Sequence, residues 1–395
     1  MKTFRTVSIA FLLIASLLLT QGICENKRRR EPTLASPLRT ATIRTLGDFV
    51  IHDSVFLSAE RASGETGSYD FSPMLQDVWD EIGNADLTAA NIDGCLGGIE
   101  VFGRYTGYPQ FVTPESLLTP LRSSGVDMLT LSNNHMLDGW YDGLLATIEN
   151  VENAGFLHTG ANRTQEERDT PVIFNVNGIQ IGFLNYTQYL NSMDRASGLD
   201  KRAMAFGVNA ISNSDMYEDA RRMRDEGAEV IVCFMHWGKE YNRTPDGNQL
   251  AYAKRLVECG VDVIIGGHPH TVQRAEYLTG TNQFGEEQKT LCVYSLGNFL
   301  SDQRQRYRDG GVIFDFTIRE QEDGSFEIEN PRYMPVWVWK TGTNDKNYEY
   351  RVMNIADYLS SKPKGMSDKD YKTMIQSYND SVYIMETGIG ETTSK

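Results

Sequence analysis

The sequence predicts an α/β protein with layered helices and at least one mixed sheet. Strand and helix signals alternate from Ala41 onward, and strands dominate later in the chain. In addition, four short polar segments each directly follow an apolar run that reads as a buried strand. They are Gly47-Asp48, Asn133-Asn134-His135, His236-Trp237-Gly238 and Gly267-His268-Pro269-His270. Open α/β sheets gather polar site residues in loops at strand ends.

The elements follow in order. Residues 42–49 read as a strand ending near Asp48. Residues 73–82 are amphipathic, with Pro73 where a first helical turn tolerates proline. A strand at 86–92 leads into a glycine-rich loop. A helix at 114–123 is followed by a buried strand at 126–131 and a helix at 139–154. Asn177-Gly178 is a strong turn signal and joins strands 172–176 and 179–186 into a hairpin. Helix 215–226, strand 230–235, helix 248–259 and strand 261–265 continue the alternation. Strands at 291–296, 312–318 and 326–328 follow, and 368–384 reads as a helix within a polar tail that begins near Lys340.

Composition is globular: 40% hydrophobic and 23% charged over 395 residues, enough for one large core or two modest ones. The net charge of −15 repels a phosphodiester backbone, so no nucleic-acid partner is expected. Anionic small substrates remain open, because bound metal ions reverse a local field. Cys95, Cys233, Cys259 and Cys292 match no zinc spacing, and Cys233 and Cys292 sit within apolar strands as small buried residues.

The N-terminus reads as an export signal. Lys2 and Arg5 precede an apolar run from Val7 to Leu19, which is short for a membrane span. A signal peptide over 1–24, cleaved on export, is the preferred reading. Lipidation at Cys24 and an uncleaved anchor are the alternatives. The basic run Lys27 to Arg30 sits awkwardly with simple export. Residues 25–40 read as a linker, 41–340 as the folded domain and 341–395 as a polar C-terminal extension.

Four of the six histidines lie in the four polar segments, and this concentration points to an enzyme. Asp48 can supply a hard anionic ligand. Asp93 closes Asn91-Ile92-Asp93 in the glycine-rich loop, and its two oxygens can bridge two cations. Asn134 can coordinate through its amide oxygen and leave His135 free for acid–base work. His236, His268 and His270 are further ligand candidates. Imidazole with carboxylate suits zinc, iron or manganese better than calcium, and two such divalent ions can bind a phosphoryl group and activate water. His158 reads as an ordinary surface or core histidine, Asn133 as a turn cap and Trp237 as packing.

The order Gly-Asp, Asn-x-acid, Asn-Asn-His-x-x-Asp, His-Trp-Gly-x-Glu, Gly-His-Pro-His-x-x-Gln and Ser-Leu-Gly-Asn-Phe resembles the CapA family. That family is tied to poly-γ-glutamate capsule synthesis and is similar to calcineurin-like metallophosphoesterases. The resemblance runs from about Ile43 to about Asp302. It implies an α/β/β/α sandwich with mixed sheets and a two-metal site. It assigns Asp48 and His270 to the first metal, Asn134, His236 and His268 to the second, and Asp93 to the bridge. It makes His135 the acid for the leaving group with Asp138 as its orienting partner, places Glu240 behind His236, and puts Asn91 and Asn298 at the pocket.

Two departures stand out. Val50 occupies the position where the phosphoesterase pattern has histidine, and His52 nearby is read equally as a site residue or an exposed loop residue. Asp53 stands where relatives tend to have arginine, and Asp93 where they have glutamate. Arg304, Arg306 and Arg308 alternate after Ser-Leu-Gly-Asn-Phe. On an extended backbone they would present three cations to an anionic polymer, while a solvated polar loop is the plainer reading. The resulting expectation is an exported protein of the cell envelope, acting as a two-metal hydrolase in capsule polymer biosynthesis. The alternatives are a non-catalytic partner of a membrane-bound polymer synthase and a general envelope phosphoesterase acting on phosphoester substrates.

Overall fold

A computed structural model of the chain describes residues 37–99, 103–344 and 346–389. The expected export signal at 1–24 and the expected linker up to residue 36 lie outside the described residues. Sixteen strands occur in them: β1 (Thr40–Phe49), β2 (Leu87–Ile92), β3 (Cys95–Leu96), β4 (Val112–Thr113), β5 (Met128–Thr130), β6 (Leu157–Thr159), β7 (Ile173–Val176), β8 (Ile179–Thr187), β9 (Val230–His236), β10 (Val263–Gly267), β11 (Ala275–Thr281), β12 (Glu287–Val293), β13 (Asn298–Leu300), β14 (Gly310–Glu320), β15 (Phe326–Thr341) and β16 (Glu349–Asn354).

Two large sheets result. The first runs β16-β15-β14-β1-β2-β5-β6, with β13 added beside β1; the second runs β11-β12-β10-β9-β8-β7. Both are mixed. β1, β2, β5 and β6 pair in parallel, as do β8, β9, β10 and β12, while β14 to β16, β7 and β11 are antiparallel.

Side-chain alternation explains the layering, because successive strand residues face opposite sides. On β9, Val230, Val232 and Phe234 join a core between the sheets with Ile181 and Phe183 of β8, Ile43 of β1 and Phe314 of β14. Ile231, Cys233 and Met235 face the other way, onto helices Met216–Asp225 and Gly247–Cys259. On the far side, Leu46, Ala90 and Leu129 pack against helices Asp53–Ser63 and Trp140–Asn153. The molecule is therefore an α/β/β/α sandwich. Helix Gly247–Cys259 starts with a capping box between Asp246 and Gln249, which satisfies amide groups the first helical turn leaves open.

Several elements differ from the sequence reading. The helix at 73–82 forms as short pieces, Ser72–Leu75, Gln76–Val78 and Trp79–Gly83. Helix Asp53–Ser63 was not expected; it starts without a side-chain cap and buries only Val55, Phe56, Ser58 and Ala59. β15 extends to Thr341, well past 326–328, and its later residues bury Val336 and Val338. The residues read as a polar extension supply β16 at the sheet edge and helix Asp368–Ile389. That helix packs its Met374 with Trp337 and Trp339. No described helix is long and apolar enough to cross a membrane. Cys95, Cys233, Cys259 and Cys292 are buried and free.

Candidate metal centre

The C-terminal ends of parallel strands from both sheets meet at one place. β1 ends beside Asp48, which is in register with Asn91 of β2 on one side and Asn298 of β13 on the other. Asp93 follows β2, Asn134 and His135 follow β5, His236 ends β9, and His268 and His270 follow β10. Asn91 is half-buried and all the others are buried, with Asp93 at 0% exposure.

The loop after β10 is built to bring its backbone against Asp48. A Cβ at Gly267 would stand 2.6 Å from Asp48 Oδ1, so glycine is required there. The His268 amide then donates to Asp48 Oδ2 at 2.9 Å, and Asn91 Nδ2 donates to Asp48 Oδ1 at 2.8 Å. His268 and His270 both hold left-handed backbone, with φ of 90° and 55°. Such conformations cost on the order of 1–3 kcal/mol each and persist where the surroundings over-determine them. Here they aim two imidazoles inward.

Asp48, Asp93 and His270 form a buried group able to hold a metal ion, with one ligand atom from each lying within 4.8 Å of the others. His270 Nδ1 is 3.5 Å from Asp48 Oδ2, and its Nε2 is 3.9 Å from Asp93 Oδ2. Asn298 Oδ1 lies 3.0 Å from His270 Nδ1 and can accept its proton. Burial opposes a charge on His270, but the Asp48 hydrogen bond and the nearby carboxylates outweigh it and hold its pKa above the ordinary imidazole value.

A second set of donors lies across Asp93. His236 Nε2 is 2.7 Å from Asn134 Oδ1, 3.2 Å from His268 Nδ1 and 3.7 Å from Asp93 Oδ1. One proton on His236 Nε2 cannot serve three acceptors at once, whereas a cation among them can. Burial keeps His236 and His268 well below the usual imidazole pKa, hence neutral and with lone pairs free to ligate. Both oxygens of Asp93 are buried without a hydrogen-bond partner. Unpaired buried carboxylates are costly, and burial pushes this carboxyl up to about 7. The group on the Asp48 side therefore fits a metal ion, and Asn134, His236 and His268 offer neutral donors across Asp93.

His135 lies beside this set with 7% exposure. Its Nδ1 is 2.6 Å from Asp138 Oδ2, which also accepts from the Phe111 amide at 2.7 Å. Burial disfavours its charge, but the Asp138 hydrogen bond and the Asp93 carboxylate prevail and raise its pKa. The Phe111 ring meets the imidazole edge-on at 4.7 Å. Asn133, read as a turn cap, accepts from the His135 amide at 3.1 Å and donates to Ile92 O at 2.7 Å, tying this loop to the Asp93 loop.

The structure differs from three further expectations. No hydrogen bond joins Glu240 to His236, whose Nδ1 is buried without a partner; Glu240 instead acts on its neighbour Tyr241 and on His270. The three arginines do not line one side, because residues 305–308 form a turn, with the Arg308 amide donating to Gln305 O, rather than a strand. Arg304 packs over Trp337, Arg306 forms a two-pronged ion pair with Asp380, and Arg308 lies over Tyr241. His52 is half-buried, with Nδ1 3.0 Å from Val50 O and facing the Asp302 amide at 3.3 Å; Val50 itself is 1% exposed.

Sequence reasoning missed Asn191 and Asn185. Asn191 Oδ1 accepts from Asn134 Nδ2 at 3.0 Å, and its Nδ2 lies 3.1 Å from His135 Nδ1, so it touches both halves of the Asn134-His135 pair. Asn185 Oδ1 accepts from the Ser132 amide at 2.7 Å, and its Nδ2 donates to Phe234 O at 3.2 Å, which fixes the β5 and β9 ends together. Asn185 lies near the end of a buried strand, the signal that found the other segments. Asn191 sits in an irregular segment with no periodic signal.

Carboxylate, imidazole and amide donors gathered at the strand ends of an α/β/β/α sandwich define the class: a candidate metalloprotein. The profile of the bacterial capsule synthesis protein PGA_cap matches residues 42–303, and the chain belongs to that family. It is 24% identical to the capsule biosynthesis protein CapA of Bacillus anthracis over 95% of this chain and 87% of that protein. It is 26% identical to the PGA biosynthesis protein CapA of Bacillus subtilis over 53% of this chain and 51% of that one. A probable polyglutamine synthesis accessory protein of Mycobacterium tuberculosis is 23% identical over 41% of this chain and 43% of its own length. Among solved structures, the NAD nucleotidase of Haemophilus influenzae aligns with a TM-score of 0.44 and 12% identity, over 90% of this chain and 65% of that chain.

Proposed function

We propose that this chain is an exported two-metal hydrolase acting on an anionic envelope polymer of the polyglutamate kind named for its relatives. The observation that carries the reading is Asp93. It is a fully buried carboxylate with both oxygens unpartnered, set between Asp48 and His270 on one side and Asn134, His236 and His268 on the other. Those residues would hold one divalent ion on each side, with Asp93 shared. Manganese, iron or zinc suits this mixture of imidazole, amide and carboxylate. Bound there, such ions polarise a phosphoryl or acyl oxygen and lower the pKa of water.

The chain's own residues supply the rest. Asp138 holds Nδ1 of His135, leaving Nε2 as the proton-carrying atom directed at a leaving group. Asn191 and the Phe111 edge restrict the rotation of that ring. The short apolar run after Lys2 and Arg5 supports export.

The test is hydrolysis of poly-γ-glutamate and of a generic phosphodiester by the metal-loaded protein and by His135→Ala. Cleavage of the polymer that is lost in the variant supports the reading. Metal binding without turnover of either substrate rejects it in favour of a non-catalytic partner of a polymer synthase. That second reading draws on Val50, an apolar buried residue where the phosphoesterase pattern has histidine.

A further inference from the structure

We infer that Arg308, stacked on Tyr241 beside the metal centre, grips a carboxylate of the ligand; this deepens the polyglutamate reading above and rests on it. Both members of the pair are tied to the ligand loop. The Tyr241 amide donates to Pro269 O at 2.8 Å, between His268 and His270, and its φ of 68° aims the ring toward His270, with centroids 6.1 Å apart. At Arg308 the backbone oxygen accepts from Asn298 Nδ2 at 2.8 Å. The same Asn298 amide faces His270 Nδ1 through its oxygen at 3.0 Å. Backbone and side chain of Arg308 are thus each held by a residue that itself contacts the His270 region.

The stacking leaves the right donors free. Arg308 Cζ lies 3.3 Å from the Tyr241 ring centroid. A guanidinium stacked on a ring uses its flat face, and its N–H donors remain in the plane, where they match both oxygens of a carboxylate. Among the described residues no carboxylate forms an ion pair with Arg308, whereas neighbouring Arg306 is taken by Asp380. Tyr241 is 38% exposed, so the pair borders solvent. A chain of net charge −15 repels a polyanion at long range. A fixed, unpaired cation next to the site supplies local attraction and sets the register of the polymer against the metal centre.

The experiment is calorimetric titration of a short γ-linked glutamate oligomer into full-length, manganese-loaded protein carrying His135→Ala to prevent turnover. Arg308→Gln, Arg308→Lys and Arg306→Gln are added singly to that background, and thermal melting confirms that each folds. The expected result is a loss of affinity of roughly 10- to 100-fold for Arg308→Gln. Arg308→Lys recovers little of it, because a point charge lacks the planar fork, and Arg306→Gln binds as its parent does. An oligomer with its free α-carboxylates amidated should bind the parent no better than the acidic oligomer binds Arg308→Gln. Equal affinity of parent and Arg308→Gln overturns the inference and leaves the polymer reading standing. No binding by the parent overturns both.

Discussion

The half of the centre built around β1 and the half built around β9 are alike in burial, but the first carries charge and the second does not. Around Asp48 and His270, carboxylates raise the imidazole pKa above its ordinary value. Around Asn134, His236 and His268, the donors are neutral, and burial holds both imidazoles far below it. Asp93 faces both and is pushed up to about 7. One half offers a cation negative charge, and the other offers lone pairs alone. If the proposed two ions bind here, the contrast means that they are held by different physics and that Asp93 is the element they share.

Substitutions can break that contrast. The largest effect is expected from Asp93→Asn, which keeps the shape of the shared residue and removes its charge. Metal content measured by elemental mass spectrometry should collapse on both sides at once. Retention of a full metal complement would show that Asp93 is not shared. His135→Ala comes next. It should reduce turnover by roughly 10²–10⁴-fold, the usual worth of a positioned acid, while metal content stays at the wild-type level. A fall in metal content would place His135 among the ligands.

Asn298→Ala probes the acidic half from outside. Its amide faces His270 Nδ1, and loss of such an orienting partner typically costs about 10–100-fold in metal affinity. Competition against a fluorescent chelator would read this, and the neutral half should be unaffected. The smallest effect is expected from Asn191→Ala, which removes the hydrogen bond from Asn134, worth about 1 kcal/mol, and the side chain packed beside His135. Turnover should fall several-fold. An unchanged rate would make Asn191 a bystander.

Most of the candidate site was legible in the sequence because its residues sit at strand ends, where an apolar run stops at Asp48, Asn134, His236 and His268. Buried parallel strands read as continuous Val, Ile and Leu runs, so their ends are sharp. Residues outside that pattern were harder to see. Asn191 lies in an irregular segment with φ of 48°, and only tertiary packing brings it to His135. Helix Asp53–Ser63 was missed because it has no side-chain cap and a narrow apolar face. The arginines at 304, 306 and 308 were read by alternation, which requires a strand. The turn at 305–308 sends them to Trp337, Asp380 and Tyr241 instead. The polar appearance of the residues after Lys340 concealed an edge strand, which buries Tyr350, Val352, Met353 and Asn354.

The most direct test of the central claim is metal stoichiometry per chain in the wild type, Asp48→Asn and His236→Ala, measured on the same preparation scale. The account predicts two ions in the wild type and one in each variant, with the two variants retaining ions of different affinity. A single ion in the wild type, or the same loss in both variants, would contradict a centre made of two physically distinct halves.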